Sequence, residues 1–239
     1  MVAILETRGL SKRFRGLQAN SDIDFRLEAG EVRCVIGPNG AGKTTFISMI
    51  SGHLAPSAGA VLFRGQDVTR LPVRKRARLG IGRKFQTPSV FGGLSTVENV
   101  ELAVLASGCP RRERARRIAE VLEVVRLSAE ADTRVDHLSH GQRQWLEIGL
   151  LLAVEATLLL LDEPTAGMTG EETQATAELV NQLSRERGLS TIIIEHDINF
   201  IRELAAPVTV LHLGRVLREG SYAEIAADQL VRDIYLGYQ

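Results

Sequence analysis

The 239-residue chain has two cysteines, no net charge and no long apolar run. Each shortage excludes something. Cys34 and Cys109 are too few for a disulfide framework or a cysteine-built metal site. Free thiols without a signal peptide predict a reducing, cytoplasmic setting. Basic and acidic side chains balance at 29 each, so no global field draws the chain to nucleic acid or anionic lipid. No hydrophobic stretch approaches the roughly 18–20 residues of a membrane span, so any span belongs to a partner. Internal repeats and low-complexity tracts are also missing. What remains is an ordinary globular composition, 44% hydrophobic and 24% charged. The arginine-rich runs Arg74-Lys75-Arg76-Ala77-Arg78 and Arg111-Arg112-Glu113-Arg114-Ala115-Arg116-Arg117 are the local exceptions. They read as a solvated helix face or as a surface near lipid headgroups.

The most informative stretch is Gly37-Pro38-Asn39-Gly40-Ala41-Gly42-Lys43-Thr44, followed by Thr45. It fits G-x-x-x-x-G-K-[ST], a loop that cradles nucleotide phosphates. A buried strand is predicted before it (Glu31 to Ile36), and a helix after it (Lys43 to Ser51) carries Phe46, Ile47, Met49 and Ile50 at helical spacing. Such a turn aims backbone N–H groups and a positive helix end at phosphate. Its glycines let the backbone approach closely. Lys43 is expected to reach the β- and γ-phosphates, and the Thr44 hydroxyl a Mg²⁺ ion. The chain is predicted to bind a nucleotide.

Upstream, Ile4–Leu10 and Ser21–Leu27 alternate as strands, with a polar turn at Ser11–Gly16. Phe14 in that turn reads equally well as a core plug or as a platform for adenine. Downstream, Gly59–Val68 reads as a strand, Pro72–Leu79 as a short helix and Ile81–Phe85 as a strand ending at Gln86. A Thr-, Pro-, Ser- and Gly-rich stretch follows, with Val90 and Phe91 looking exposed; they suit a socket for a partner's helix or packing between lobes. Ser95-Thr96-Val97-Glu98 is a capping box that opens a helical stretch to about Leu127, broken at Ser107-Gly108-Cys109-Pro110. A small helical lobe, about residues 87–155, is therefore expected as an insertion in an α/β core.

Leu138-Ser139-His140-Gly141-Gln142 opens a further helix with Ser139 as N-cap. The run Leu158-Leu159-Leu160-Leu161 reads as a strand buried on both faces, ending in Asp162-Glu163-Pro164. Carboxylates at a strand's carboxyl end lie where α/β sheets hold ligands. A second capping box at Thr169–Glu172 starts a helix to about Arg187. The strand Thr191–Ile194 delivers Glu195-His196-Asp197 to the same rim. A closing hairpin at Val208–Arg218 and helix from Ser221 onward complete the reading.

In this order (phosphate loop, Gln86, Leu-Ser-x-Gly-Gln, Asp-Glu-Pro, His196) the motifs resemble the ATP-binding subunit of an ABC transporter over essentially the whole chain. The resemblance implies a P-loop NTPase fold of class α/β: a RecA-like mixed-sheet core, an antiparallel β subdomain and an inserted α-helical lobe. It implies ATP and Mg²⁺, with Phe14 stacking on adenine and residues 37–45 holding phosphate. Asp162, Thr44 and Gln86 would serve Mg²⁺, Glu163 would be the general base with Lys43 assisting, and His196 would contact the γ-phosphate. The rival roles are a second carboxylate near Mg²⁺ for Glu163 and a satisfied rim histidine for His196. Ser139, His140, Gly141 and Gln142 form the signature segment, which would meet ATP held by a second, head-to-tail ATPase subunit.

Two departures stand against the family pattern. His140 occupies a position where glycine is most common. Ala166-Gly167-Met168-Thr169 replaces the usual S-A-L-D, so a cross-dimer bond from that aspartate is in doubt, and Thr169 acts in part or only as a cap. Ala166-Gly167-Met168-Thr169, with Gly82-Arg83-Lys84-Phe85-Gln86-Thr87-Pro88 and Ile234-Tyr235-Leu236-Gly237, resembles the branched-chain amino acid importer group; within it, Arg83–Gln86, Ser139–Glu147 and Glu163–Thr169 look most like the ATP-binding subunit of urea importers. The implied partners are a different ATPase paralogue, two transmembrane permease subunits and, indirectly, a periplasmic solute-binding protein, with no nucleic acid. The implied location is the cytoplasmic face of the inner membrane, and no regulatory domain of the maltose-importer type is expected. ATPases of a branched-chain amino acid importer or of a lipid-extracting complex are the alternatives. A soluble ABC ATPase fits less well, because those usually carry two cassettes or a long coiled-coil insertion.

Overall fold

A computed structural model describes residues 3–85 and 89–236. Two sheets organise it. Strands β1 (Ala3–Phe14), β2 (Leu17–Glu28), β4 (Ala58–Phe63) and β5 (Gln66–Asp67) form an antiparallel sheet in the order β2-β1-β4-β5. Strands β3 (Val32–Ile36), β6 (Ile81–Lys84), β7 (Leu158–Asp162), β8 (Ser190–Ile194), β9 (Val208–His212) and β10 (Arg215–Gly220) form the second, in the order β10-β9-β3-β8-β7-β6. All neighbours in that sheet are parallel except β10, which returns antiparallel on β9. The mixed-sheet core and antiparallel subdomain are as expected.

The apolar strands explain the layering. Leu158 and Leu160 of β7, with Ile192 and Ile194 of β8, pack toward α1 (Lys43–Ser51) and the antiparallel sheet. Leu159 and Leu161, with Ile193, face the opposite cluster, which includes α5 (His140–Ala153), α6 (Gly170–Arg187) and α7 (Ile198–Leu204). Because successive side chains point to opposite faces, an unbroken leucine run suits a strand covered on both sides. Helices α3 (Thr96–Ala106) and α4 (Arg114–Val124) pack with α5, through Val100, Val104, Val121 and Leu146. Helices α2 (Val73–Leu79), α8 (Tyr222–Ala227) and α9 (Gln229–Leu236) complete the chain. No described helix is long and apolar enough to cross a membrane.

The boundaries depart from the expected ones in a few places. Ser11–Phe14 is not a turn; β1 runs on through it, pairing Lys12 with Asn20 and Phe14 with Leu17. Burial there falls away steadily, from buried Ser11 through half-buried Lys12 to exposed Arg13 and Phe14, so no alternation marks it. Gly59–Val68 is a hairpin rather than one strand, turning at Arg64-Gly65, both at positive φ. Helix from Ser221 is interrupted at Asp228, and α7 was not anticipated. The run Arg74–Arg78 is not a wholly solvated face. Arg76 is among the most buried side chains in the protein.

Arg76 has no carboxylate partner among the described residues. Its guanidinium donates to four carbonyls: Leu71 (2.9 Å), Thr69 (2.7 Å), Met49 (2.6 Å) and Ile50 (2.7 Å). The last two belong to the C-terminal turn of α1, where a helix has unpaired carbonyls and partial negative charge. Arg76 thus anchors the helix whose other end carries the phosphate-loop residues.

Candidate nucleotide site

Local physics explains the shape of the phosphate loop. Gly37 leaves β3 at φ +153°, where an added Cβ would lie 2.1 Å from the Leu211 carbonyl oxygen. Gly42 caps α1 at φ +97°, and a Cβ there would press within 2.5 Å of the Ala19 carbonyl. Both contacts are with backbone, which cannot yield cheaply. The Asn20 amide donates to the Gly42 carbonyl (3.2 Å), and the Gly214 N–H to the Ala41 carbonyl (3.0 Å). The loop is therefore braced by β2 and by the β9–β10 turn. Helices α3, α5, α6 and α8 each have a Ser or Thr cap with Glu or Gln at the third position. Helix α1 has no side-chain cap and no acidic residue in its first turn. Its leading N–H groups remain available to an anion.

A cleft of ≈ 490 Å³ runs along this loop. It is lined by Asn39 through Thr45, by Glu163 and His196, and at its apolar end by Phe14, Leu17 and Leu213. Phe14 is 42% exposed, so it is not a core plug; its ring lies at the cleft with the Lys12 ammonium 5.2 Å from its centroid. Lys43 reaches back over the loop, donating to the Gly37 (2.6 Å) and Pro38 (3.1 Å) carbonyls. Burial lowers its pKa, while Glu163 and Asp162 oppose the shift.

Register brings the rim residues together. Asp162 pairs with Ile194 across β7 and β8, so the residues that follow, Glu163 and His196, emerge side by side. His196 Nε2 lies 3.2 Å from Glu163 Oε1. Glu163 itself sits at φ +48°, a left-handed conformation costly for a non-glycine residue, held by its N–H to the Ile194 carbonyl (2.9 Å).

Asp162 is buried, and burial raises its pKa against the pull of Arg83. Its Oδ2 lies 3.4 Å from Arg83 Nη2, while its Oδ1 is buried without a hydrogen-bond partner among the described residues. An orphaned carboxylate oxygen beneath a cleft that Thr44 lines fits a hard divalent cation. Gln86, the third expected Mg²⁺ residue, lies outside the described residues, as do Thr87, Pro88 and Gly237.

The signature segment is elsewhere. None of Ser139, His140, Gly141 and Gln142 lines the cleft. Ser139 caps α5 as expected, and its hydroxyl also donates to Glu172 Oε1 (3.1 Å). Glu172 is held below the usual carboxylate range, chiefly by the Thr169 N–H. His140 departs from glycine to a purpose: its Nε2 lies 2.7 Å from the Ala166 carbonyl. The Gln144 side-chain amide nitrogen lies 3.1 Å from the same ring nitrogen, so the tautomer sets which of the two contacts the ring donates to. The bulky ring therefore joins α5 to the segment Ala166–Met168, the other place where the chain departs from the family pattern. Thr169 caps α6.

Several residues around the site were not anticipated. Leu17 and Leu213 line the cleft through the tertiary fold and carry no local motif, while Glu172 showed in sequence only as a capping residue and Arg83 only within the Gly82–Pro88 resemblance. Lys84 and Glu147 form a pair, 3.6 Å apart and both buried, with Glu147 also accepting the Ser89 N–H (2.7 Å). Val90 is partly buried against the helical cluster rather than exposed. Phe91 is 61% exposed.

Comparison with known proteins agrees with this geometry. A family model described as ABC transporter matches residues 20–166. The chain is 37% identical over 240 residues to the lipopolysaccharide export system ATP-binding protein LptB of Acidithiobacillus ferridurans, covering 100% of this chain and 99% of that one. It is 33% identical to the probable branched-chain amino acid transport ATP-binding protein LivG of Archaeoglobus fulgidus, covering 99% and 96%. Among solved structures, the ADP conformation of MJ1267, an ATP-binding cassette of an ABC transporter, superposes with a TM-score of 0.89 at 27% identity, covering 99% of this chain and 100% of that chain. By fold, motif order and full-length similarity, this chain belongs to the ABC transporter family as one of its ATP-binding cassettes.

Proposed function

We propose that the chain binds and hydrolyses ATP to power an ABC importer whose cargo is urea. The observation that carries the first half is the cleft itself. One wall offers an aromatic ring and two leucines, the floor a phosphate loop at an uncapped helix end, and the far rim Glu163 and His196. That order matches base, phosphates and attacking water of one ATP molecule.

Phe14, Leu17 and Leu213 would hold adenine by apolar contact. The N–H groups of residues 40–45 and the Lys43 ammonium would hold the phosphates, and Lys43 would exchange its loop carbonyls for phosphate oxygen. Asp162 and Thr44, with Gln86, would bind Mg²⁺, which when present neutralises phosphate charge. Glu163 takes the proton as the water oxygen bonds to the γ-phosphorus and the bond to the β-phosphate bridging oxygen breaks, leaving ADP and phosphate. His196, beside Glu163, holds the transferring phosphoryl group and the water in line. Positioning and charge stabilisation supply most of the acceleration in such a reaction.

The absence of residues 139–142 from the cleft lining supports a head-to-tail dimer, in which Ser139 and Gly141 complete the site of a second ATPase subunit. Residues from about 87 to 155 would act as the helical lobe that carries this half-site. Phe91 suits the permease contact. Buried Asn99 accepts the Phe91 N–H (2.8 Å) and donates to its carbonyl (3.1 Å), holding the ring outward. The working complex would sit at the cytoplasmic face of the inner membrane with two permease subunits and a periplasmic binding protein.

Urea rests on the resemblance of Arg83–Gln86, Ser139–Glu147 and Glu163–Thr169 to urea importers, because the cargo does not touch this subunit. The 37% identity to LptB favours a lipid-extracting complex as the second reading. The test is ATP hydrolysis by the chain with its permeases and binding protein in lipid. Stimulation by urea and not by leucine supports the proposal. Stimulation by leucine alone moves the cargo to amino acids, and response to neither, with basal hydrolysis intact, favours lipid extraction.

A further inference from the structure

Glu195 immediately precedes His196 and is 4% exposed. No ion pair neutralises it among the described residues. Instead its two oxygens divide between two segments. Oε1 accepts the N–H of Thr165 (3.0 Å) and also the Thr165 hydroxyl. Oε2 accepts the N–H of His196 (2.8 Å) and that of Asp197 (3.3 Å). A buried carboxylate is tolerated only when such donors replace water.

The placement matters because of what each segment carries. Thr165 lies two residues after Glu163, on the turn that leaves β7. His196 follows β8. Sheet pairing through Asp162 and Ile194 joins the two strands on the near side, and the Glu195 carboxylate joins the two turns beyond it. Between these ties, Glu163 Oε1 and His196 Nε2 are 3.2 Å apart. With a charge-assisted bond to each turn, neither can swing without breaking a strong hydrogen bond.

We propose that Glu195 is a positioning residue for ATP hydrolysis: it ties the turn bearing Glu163 to the turn bearing His196, so that both address one water and one γ-phosphate. The inference rests on the reading of the cleft as a site of ATP hydrolysis. Glu195 lines no part of that cleft, so its role is exerted through the two turns and not on nucleotide.

The test uses the full chain at concentrations that populate its dimer, with Glu195→Gln, Thr165→Val and Thr165→Ser. Binding of a fluorescent ATP analogue, kcat, KM and thermal unfolding are read for each. An amide keeps one acceptor and cannot serve both turns. Glu195→Gln should lower kcat about tenfold or more while leaving analogue affinity within about threefold. Thr165→Val, which removes only the hydroxyl bond, should lose about threefold in kcat, and Thr165→Ser should restore it. A Glu195→Gln chain with wild-type kcat overturns the role. So does a loss of affinity and of unfolding temperature that accounts for the whole loss of rate; if Glu195→Gln does not fold, an unchanged kcat in Thr165→Val overturns it. Wild-type chain that binds ATP without turnover overturns the hydrolysis reading itself, and this role with it.

Discussion

His196 Nε2 and Glu163 Oε1 face each other at 3.2 Å, at the carboxyl ends of neighbouring parallel strands. This contact brings the candidate base and the candidate phosphate sensor to one point of the cleft. Glu163→Gln keeps the shape and removes the proton acceptor. The expected outcome is retained ATP binding, a closed ATP-bound dimer seen by size-exclusion chromatography, and a fall in kcat of about 10²-fold or more. Near-normal hydrolysis would assign the base elsewhere.

Arg76 is a stability prediction rather than a catalytic one. Arg76→Met removes the donor from four carbonyls, those of Met49 and Ile50 in buried contacts, and each buried carbonyl left unsatisfied costs about 1–3 kcal/mol. For a chain of this size the melting temperature should fall by roughly 10 °C. Arg76→Lys should recover little, because an ammonium cannot fan out to four acceptors as a guanidinium does. Calorimetry decides it; a shift under about 2 °C for the methionine variant would contradict the anchoring role.

Cys34 and Cys109 should differ in reactivity. Burial pushes the Cys34 thiol up to about 12, and thiolate is the nucleophile. Native protein at pH 8 should take one equivalent of an alkylating reagent, at partly exposed Cys109, and denatured protein two. The same shift has a sign in stability. Between the ordinary value of 9.0 and about 12 the unfolded chain releases this proton and the folded chain keeps it. Stability conferred by Cys34 is therefore full below that window and falls as pH rises through it, by at most about 1.4 kcal/mol per pH unit. Cys34→Ala should flatten that alkaline slope in urea titrations.

Phe91→Asp tests the permease contact. The ring is exposed and its backbone is held by Asn99, so the change should leave folding and ATP binding intact. Uptake should be lost, with hydrolysis no longer responding to cargo. Unchanged uptake in reconstituted vesicles would remove Phe91 from the contact.

Much of this architecture is written locally. Helix α1 has the bounds read from Phe46, Ile47, Met49 and Ile50, and α6 runs from its capping box to Arg187 as its pattern indicates. The cap and the helical period are short-range signals, and the buried strand β7 announces itself by four leucines. Arg76 and Arg83 show where such reading stops. Each lies among basic residues, yet one is enclosed by carbonyls from two segments and the other by Asp162 and Ser48, 79 and 35 positions away. The Arg64-Gly65 turn did carry a local cue, since glycine after a strand favours a hairpin. Phe14 was ambiguous because its exposure depends on how far β1 extends. Val90 and Phe91 look alike in sequence; packing against the helices separates them.

Glu172 serves two elements at once, completing the cap of α6 with Thr169 and accepting the Ser139 hydroxyl beneath Gly141. Variation at position 172 is therefore pleiotropic. A substitution there alters a folding determinant and the signature segment in the same step, so a scan of all replacements would confound the two phenotypes. Thr169→Ala, which removes the hydroxyl cap and does not touch Ser139, supplies the genetic background in which they separate.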